Sequence, residues 1–237
     1  MCVVGRRMMW SLLLLPLCLI ACDHKEKPIV LPHSKGLPSE VLLVTDDAVG
    51  QSDVMDSLNA LTQQCLPEIM QPETMFRVLR VSQRNYTQRY ITMHTKLFVN
   101  INKSLSAPMM GISRDVEATP QTEVTVSAPS LNELRLFLSR HQQQVTDALL
   151  DGQLLVRMTD LRKHYNAHVA NEMRRHMGYS ICVPKNVCAV KKGKHFLWAG
   201  SNLQERDLNI VLYEFPWDGK QMDNAEQLVS KRDSVMK

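Results

Sequence analysis

Glycine is scarce in this sequence, nine residues in 237, and none sits in a recognisable phosphate cradle. There is no G-x-x-x-x-G-K-[ST] loop, no G-x-G-x-x-G fingerprint, no G-x-S-x-G elbow, no H-E-x-x-H and no C-x-x-C pair. No residue is therefore marked by motif as nucleophile, zinc ligand or redox thiol, and no cofactor is implied. Charge of one sign is also lacking. The formal net charge is +4, and no basic block is present to track phosphates, so nucleic acid is not an expected partner. Long apolar runs are absent after the first two dozen residues, so no later segment reaches the roughly 20 residues that span a bilayer as a helix.

The exception is the amino terminus. Arg6 and Arg7 precede an apolar run from Met8 to Ala21, broken by Ser11 and Pro16. It is too short for a transmembrane helix and fits the h-region of a secretory signal. It ends in Leu19-Ile20-Ala21-Cys22, the pattern of a bacterial lipobox. A small residue at Ala21 gives a signal peptidase access, and the Cys22 thiol is the group that can carry a thioether-linked diacylglycerol. Two or three acyl chains, at about 0.8 kcal/mol per buried CH₂, anchor a protein stably. Residues 1–21 are thus expected to be a cleaved lipoprotein signal. Plain secretion or an uncleaved signal anchor is the alternative.

Without the two leader arginines, 26 basic residues face 24 acidic ones. Residues 22–39 hold three prolines, a glycine and mixed charge, and read as a flexible tether after the lipidated cysteine. Asp23, Lys25 and Glu26 are either solvated linker or a signal for lipoprotein sorting.

Periodicity becomes structural at Glu40. "EVLLVT" predicts a buried strand, and Val54, Leu58 and Leu61 after Ser52 predict a helix. "MFRVLRVS", "KLFVNIN" and "TEVTVSAPS" predict strands. A long helical region is expected from Ser130, whose capping box closes with Glu133, to Met177, with a break at Asp151-Gly152 and a C′ glycine at Gly178. "YSICVP", "HFLWAG" and "LNIVLYEFPW" predict further strands, and Ala225 to Met236 a last helix. The expected class is α+β, a mainly antiparallel sheet with helices packed on one face, including the long central helical region. Residues 40–237 form either one domain or two lobes, 40–129 and 130–237.

Three groups of residues are chemical candidates. Asp46 and Asp47, at the end of the first strand, suit a metal or acid–base pair, or simply cap the following turn. His164, His168, Glu172 and His176 recur every four residues, and His-x₃-His on a helix is metal-ligand spacing. Four nearby cations, Arg162, Lys163, Arg174 and Arg175, disfavour a bound cation, and a solvated helix flank explains the row equally. Cys182 and Cys188 flank "VPKN"; a hairpin there would bring them within disulfide reach, and free thiols are the alternative.

"LPHSKGLPSEVLLVTDD" after a lipobox, "LPEIMQPETMFRVLRV", and "FLWAG…RDLNIVLYEFPW…SKRDSVMK" together resemble a Bacteroidetes lipoprotein family described only as a domain of unknown function. The resemblance spans nearly the whole mature chain. It implies a Gram-negative envelope lipoprotein and brings no catalytic or binding residues. Family members continue beyond the "KRDS" segment, so the resemblance also implies that late sheet elements are missing here.

Three functions are compatible with this reading. The first is a lipid-anchored envelope protein, expected in the outer membrane with its face left open, that binds a protein or glycan partner or assists envelope assembly. It would use an exposed patch, with Trp198, Tyr213, Phe215 and Trp217 as candidate aromatics. The second is an envelope hydrolase using Asp46/Asp47 or the His164/His168 row with a metal. The third is a purely structural lipoprotein.

Overall fold

Six consecutive residues, Glu40–Thr45, form strand β1, five of them buried. A strand buried on both faces reads as a continuous apolar run because neither face meets water, and both its neighbours here are parallel. The computed structural model describes residues 30–66, 72–201, 207–216 and 225–235. The expected leader and the lipobox, Leu19, Ile20, Ala21 and Cys22, lie outside the described residues, as do Trp217 and the first part of the tether.

After β1 come two short helices, α1 (Asp47–Gly50) and α2 (Val54–Thr62), then β2 (Arg77–Ser82) and β3 (Thr95–Ile101). An edge strand, β4 (Met109–Arg114), turns back antiparallel to β5 (Thr122–Ala128). The sheet order is β2-β1-β3-β5-β4, with β2, β1, β3 and β5 mutually parallel. Helix α3 (Leu131–His164) follows β5 and therefore runs back antiparallel to the strands, and α4 (Ala167–Met177) comes after it. A second sheet, β6 (Ala189–Gly193), β7 (Phe196–Gly200) and β8 (Asn209–Tyr213), is wholly antiparallel. The last described element is α5 (Ala225–Val235).

The protein is α+β with a long central helix. The antiparallel arrangement holds for the second sheet. The first is mixed, because β1 reaches β2 through a helical crossover rather than a hairpin. Its helices lie on one face, as expected. Val41, Leu43, Leu97, Val99, Val124 and Val126 pack there against Leu58, Leu61, Leu134, Leu138 and Leu149. The opposite face, with Leu42, Val44 and Phe98, is covered by the β2–β3 connection through Tyr86, Tyr90 and Met93. A separate cluster joins α4 to the second sheet through Val169, Met173, Leu197 and Ala199.

Local signals placed several ends correctly. Ser130 Oγ accepts from Glu133 N and donates to the Glu133 carboxylate at 2.9 Å, the expected capping box. Gly178 ends α4 in a left-handed conformation, φ 80°. The break expected at Asp151-Gly152 is not there. Gly152 lies inside α3 because the helix touches β5: a Cβ at that position would stand 2.9 Å from the Thr122 side chain. The helix kinks instead at His141 (φ −115°, ψ 18°) and ends at Tyr165–Asn166, where Asn166 accepts from Val169 N and starts α4. "YSICVP" is irregular rather than a strand, with Val183 buried against the second core.

Candidate functional site

The parallel strands present two edges, and in open α/β sheets ligands usually meet the carboxyl edge where the strand order reverses. Here that point lies between β1 and β3, and Asp46 fills it. Its Oδ1 accepts from Val49 N at 2.8 Å, and its Oδ2 accepts from Ile101 N at 2.6 Å. One carboxylate thus caps α1 and ties it to the end of β3. Asp47 is ion-paired with Arg84, in the turn that follows β2. Both carboxylates of the pair have structural partners.

The histidine row does not form one face. His164 is the last residue of α3 and pairs with Asp160 at 2.9 Å, whereas His168 and Glu172 belong to α4 beyond the break. Glu172 is held by Arg175 and Lys192, and its hydrogen bond from Lys192 keeps its pKa below the usual carboxylate range. His176 donates from Nε2 to Gly193 O and Phe196 O at 2.8 and 3.1 Å, clasping the β6–β7 turn. Among the described residues no three His, Cys, Asp or Glu side chains converge as metal ligands. The helix break divides the row that the spacing suggested.

Cys182 and Cys188 are free thiols, both exposed, and no disulfide joins them. The strand β6 begins only at Ala189, so the two cysteines are not opposed in a hairpin; Val183 and Val187, between them, turn inward. Trp198 donates to Asn209 Oδ1 at 2.9 Å, while Tyr213 and Phe215 stack at 6.0 Å with Lys231 over the Phe215 ring.

The residues that do converge lie at the amino edge of the first sheet. Residues 32–38, expected to be tether, are fastened there. Ser34 N donates to Thr119 O at 3.1 Å, Lys35 N to Thr92 O at 2.7 Å, and His94 N to Lys35 O at 2.9 Å. An extended, proline-bearing segment has unpaired backbone groups, and here those groups find partners on the ends of neighbouring loops. Above the segment runs the second half of α3. Gln153 Nε2 donates to Glu40 O at the start of β1, so residues beyond it project past the sheet. The twelve residues from Gln153 to His164 extend about 16 Å at 1.5 Å per step.

Segment and helix enclose a cleft of about 190 Å³ lined by His33, Ser34, Lys35, Gly36, His94 and Pro120 on one side and by Gln153, Val156, Arg157, Asp160, Lys163 and His164 on the other. His94 is its floor. The ring is buried, with Nδ1 2.9 Å from Thr95 Oγ1 and Nε2 3.1 Å from Leu37 O. A carbonyl only accepts, so Nε2 carries a proton and Nδ1 accepts from the threonine hydroxyl. Burial pushes the His94 pKa down, against the opposing pull of the Leu37 carbonyl and Glu40. Gly36 (φ 137°) is needed at the rim, because a Cβ there would stand 2.7 Å from the His94 ring.

Near the same edge, on the sheet's other face, lies a charge network that sequence reasoning did not single out. Lys96, fully buried, donates to Tyr86 Oη at 2.7 Å, Glu117 Oε2 at 2.5 Å and Glu123 Oε1 at 2.8 Å. Tyr86 in turn donates to Glu117. Burial, then the hydrogen bond to Glu117, raises the Tyr86 pKa well above its ordinary value. Burial also pushes the Glu117 pKa up, but the hydrogen bonds from Lys96 and Tyr86 and the Lys96 charge outweigh it, and the net shift is downward. All three ammonium protons have acceptors, so the group is a closed structural network. Its one signal in the sequence was a lysine at a position alternating with Phe98, on a face that must be covered.

No curated protein and no solved structure matches the chain. Two family models do match. The one described as Domain of unknown function (DUF4837) covers residues 166–237, which begin at the α4 cap. The one described as Domain of unknown function (DUF8532) covers residues 34–162, and so takes in the first sheet, the docked segment and nearly all of α3. That second match spans just over half of the sequence, and the chain belongs to the family of the domain of unknown function DUF8532.

Proposed function

We propose that this protein is a lipid-anchored envelope lipoprotein of the Bacteroidetes type that acts as a binding module, and that the cleft between residues 33–38 and the second half of α3 is where it binds. The observation that carries the reading is the cleft itself: polar groups from segments more than a hundred residues apart meet around one recess with a rigid floor at His94. Pre-formed concavity with a few convergent polar groups is the usual mark of a binding site.

The lipobox supports the anchoring. Ten residues separate Cys22 from His33, and the eleven steps between them span at most about 40 Å. Lipidation at Cys22 would therefore hold the cleft close to the membrane, most simply the outer one.

The hydrolase reading has less support. Asp46 sits at the carboxyl edge of the sheet, whereas His164 ends a helix that projects past the amino edge. Groups at opposite edges do not share a substrate.

The test is metabolic labelling with palmitate followed by crosslinking in intact envelopes, with Cys22→Ala as control. Label on the parent alone, and a partner captured only by the anchored form, is the expected result. An unlabelled parent that fractionates with soluble proteins refutes the anchor.

A further inference from the structure

We infer that the cleft at the amino edge of the first sheet takes a phosphoryl group carried on a sugar or glycerol unit. This rests on the binding role proposed above and gives it a ligand class.

Three cations line the recess, Lys35 from the docked segment and Arg157 and Lys163 from α3. None of the three has a carboxylate within ion-pair distance among the described residues, although eight ion pairs form elsewhere among them. The two nearby carboxylates are engaged. Asp160 pairs with His164 at 2.9 Å, and Glu40 accepts from Leu37 N at 2.8 Å. Like charges left unpaired around one concavity repel, and they focus a positive potential that an anion relieves.

The number of cationic donors favours a phosphoryl group over a carboxylate. Set against Asp160 and Glu40, the three cations leave the recess net positive, and a phosphoryl group, with three or more acceptor oxygens to a carboxylate's two, gives each cationic side chain an oxygen of its own. Arginine adds geometry, since its planar fork binds two phosphate oxygens at once.

Size limits the remainder of the ligand. At about 190 Å³ the cleft falls below the roughly 300–1,000 Å³ of sites for drug-sized molecules. A whole nucleotide is too large. Glycerol phosphate, a sugar phosphate or a single phospholipid headgroup fits.

The source of the phosphoryl group, dissolved metabolite or lipid headgroup, is separated by two arms of one experiment on the full chain. In detergent micelles, glycerol 1-phosphate and inorganic phosphate are titrated calorimetrically, with glycerol as neutral control. In the second arm, binding to vesicles of phosphatidylcholine with phosphatidylglycerol is compared with binding to phosphatidylcholine alone, so that any contribution of the apolar leader is common to both. Each arm is repeated with Arg157→Ala and, independently, Lys163→Gln. Both side chains are exposed, and thermal melts confirm that the variants fold.

Saturable binding of the phosphates, weakened about tenfold or more by Arg157→Ala as expected for loss of charge-assisted hydrogen bonds, supports the proposal with a soluble ligand. A preference for the phosphatidylglycerol vesicles that the same variants abolish supports it with a headgroup. No saturable binding in either arm overturns it, and so does binding that both variants leave unchanged. Neither arm depends on acylation of Cys22, so this site can fail while the anchored binding role stands, and the reverse.

Discussion

Lys96 and Glu123 are register partners on the parallel strands β3 and β5, and their side chains meet with Nζ 2.8 Å from Oε1. The lysine is wholly buried, and Glu117 and Tyr86 complete its shell. Removing one member of such a network leaves the others charged and unpaired. Lys96→Ala should therefore destabilise the protein by about 3 kcal/mol, a fall in Tm of roughly 6–12 °C for a chain of this size. Lys96→Met combined with Glu117→Gln and Glu123→Gln should recover most of that loss, because no uncompensated charge remains. A triple variant no more stable than Lys96→Ala would show that the ion pairs themselves, and not relief from uncompensated charge, supply the stability.

The rim of the cleft gives a second expectation. Gly36 adopts φ 137° with the His94 ring beneath it. Gly36→Ala forces both a disfavoured backbone conformation and a contact too close to accept, so a loss of more than about 1 kcal/mol should follow. Hydrogen exchange should show where the loss falls: the amides of Lys35 and His94, which hold the segment to the sheet, should exchange faster while those of β1 stay protected. Uniform acceleration across β1 and β3 would mean that the segment is not a separate unit.

What the sequence disclosed about this architecture, and what it hid, follows from the range of the interactions. Val54, Leu58 and Leu61 stand on one helical face, Ser130 caps with Glu133, and Gly178 closes α4. Those features are settled within one or two turns of chain, so the pattern carries them. Gly152 misled because its reason lies at Thr122, thirty residues away. Strand β4 went unseen because Met109 and Ile112 are half exposed on an edge and show no alternation. The parallel pairing of β1 was hinted at by its unbroken apolar run, which an antiparallel strand with one wet face would not need. The cleft itself was invisible, since residues 33–38 read as linker, Lys163 as one of the cations beside the histidine row, and Arg157 carried no signal until the fold stacks segment and helix one above the other.

Asp46 is the residue for which the catalytic and structural readings diverge most clearly. Its carboxylate has both oxygens committed, to Val49 N and to Ile101 N. Asp46→Ala removes the α1 cap and orphans the Ile101 amide, so a loss of about 1–2 kcal/mol is expected. Asp46→Asn keeps one acceptor and should cost less. Metal content of the purified protein should be the same in parent and both variants. A bound metal that disappears with Asp46→Asn at unchanged Tm would restore the hydrolase reading.

His94 makes stability depend on pH, and the sign follows from burial. Its folded pKa lies below the ordinary value, so between that depressed value and about 6.5 the unfolded chain binds more protons than the native one. Stability then rises with pH through this window and is lost progressively as pH falls below about 6.5. Glu117, whose pKa is also lowered, contributes in the same direction but only below about 4.5. The groups facing His94 modulate the effect in opposite senses, Glu40 raising its pKa and Arg157 lowering it. Urea midpoints measured from pH 5 to 7.5 should therefore slope upward. The slope between pH 5 and 6.5 should flatten in His94→Gln, whatever that variant does to absolute stability, and Arg157→Ala should shift the onset to lower stability losses at a given pH. A level profile across this range would mean that the imidazole titrates alike in the folded and unfolded chain, and a downward slope that the folded state holds it protonated, so that the cleft floor carries a charge rather than a neutral ring.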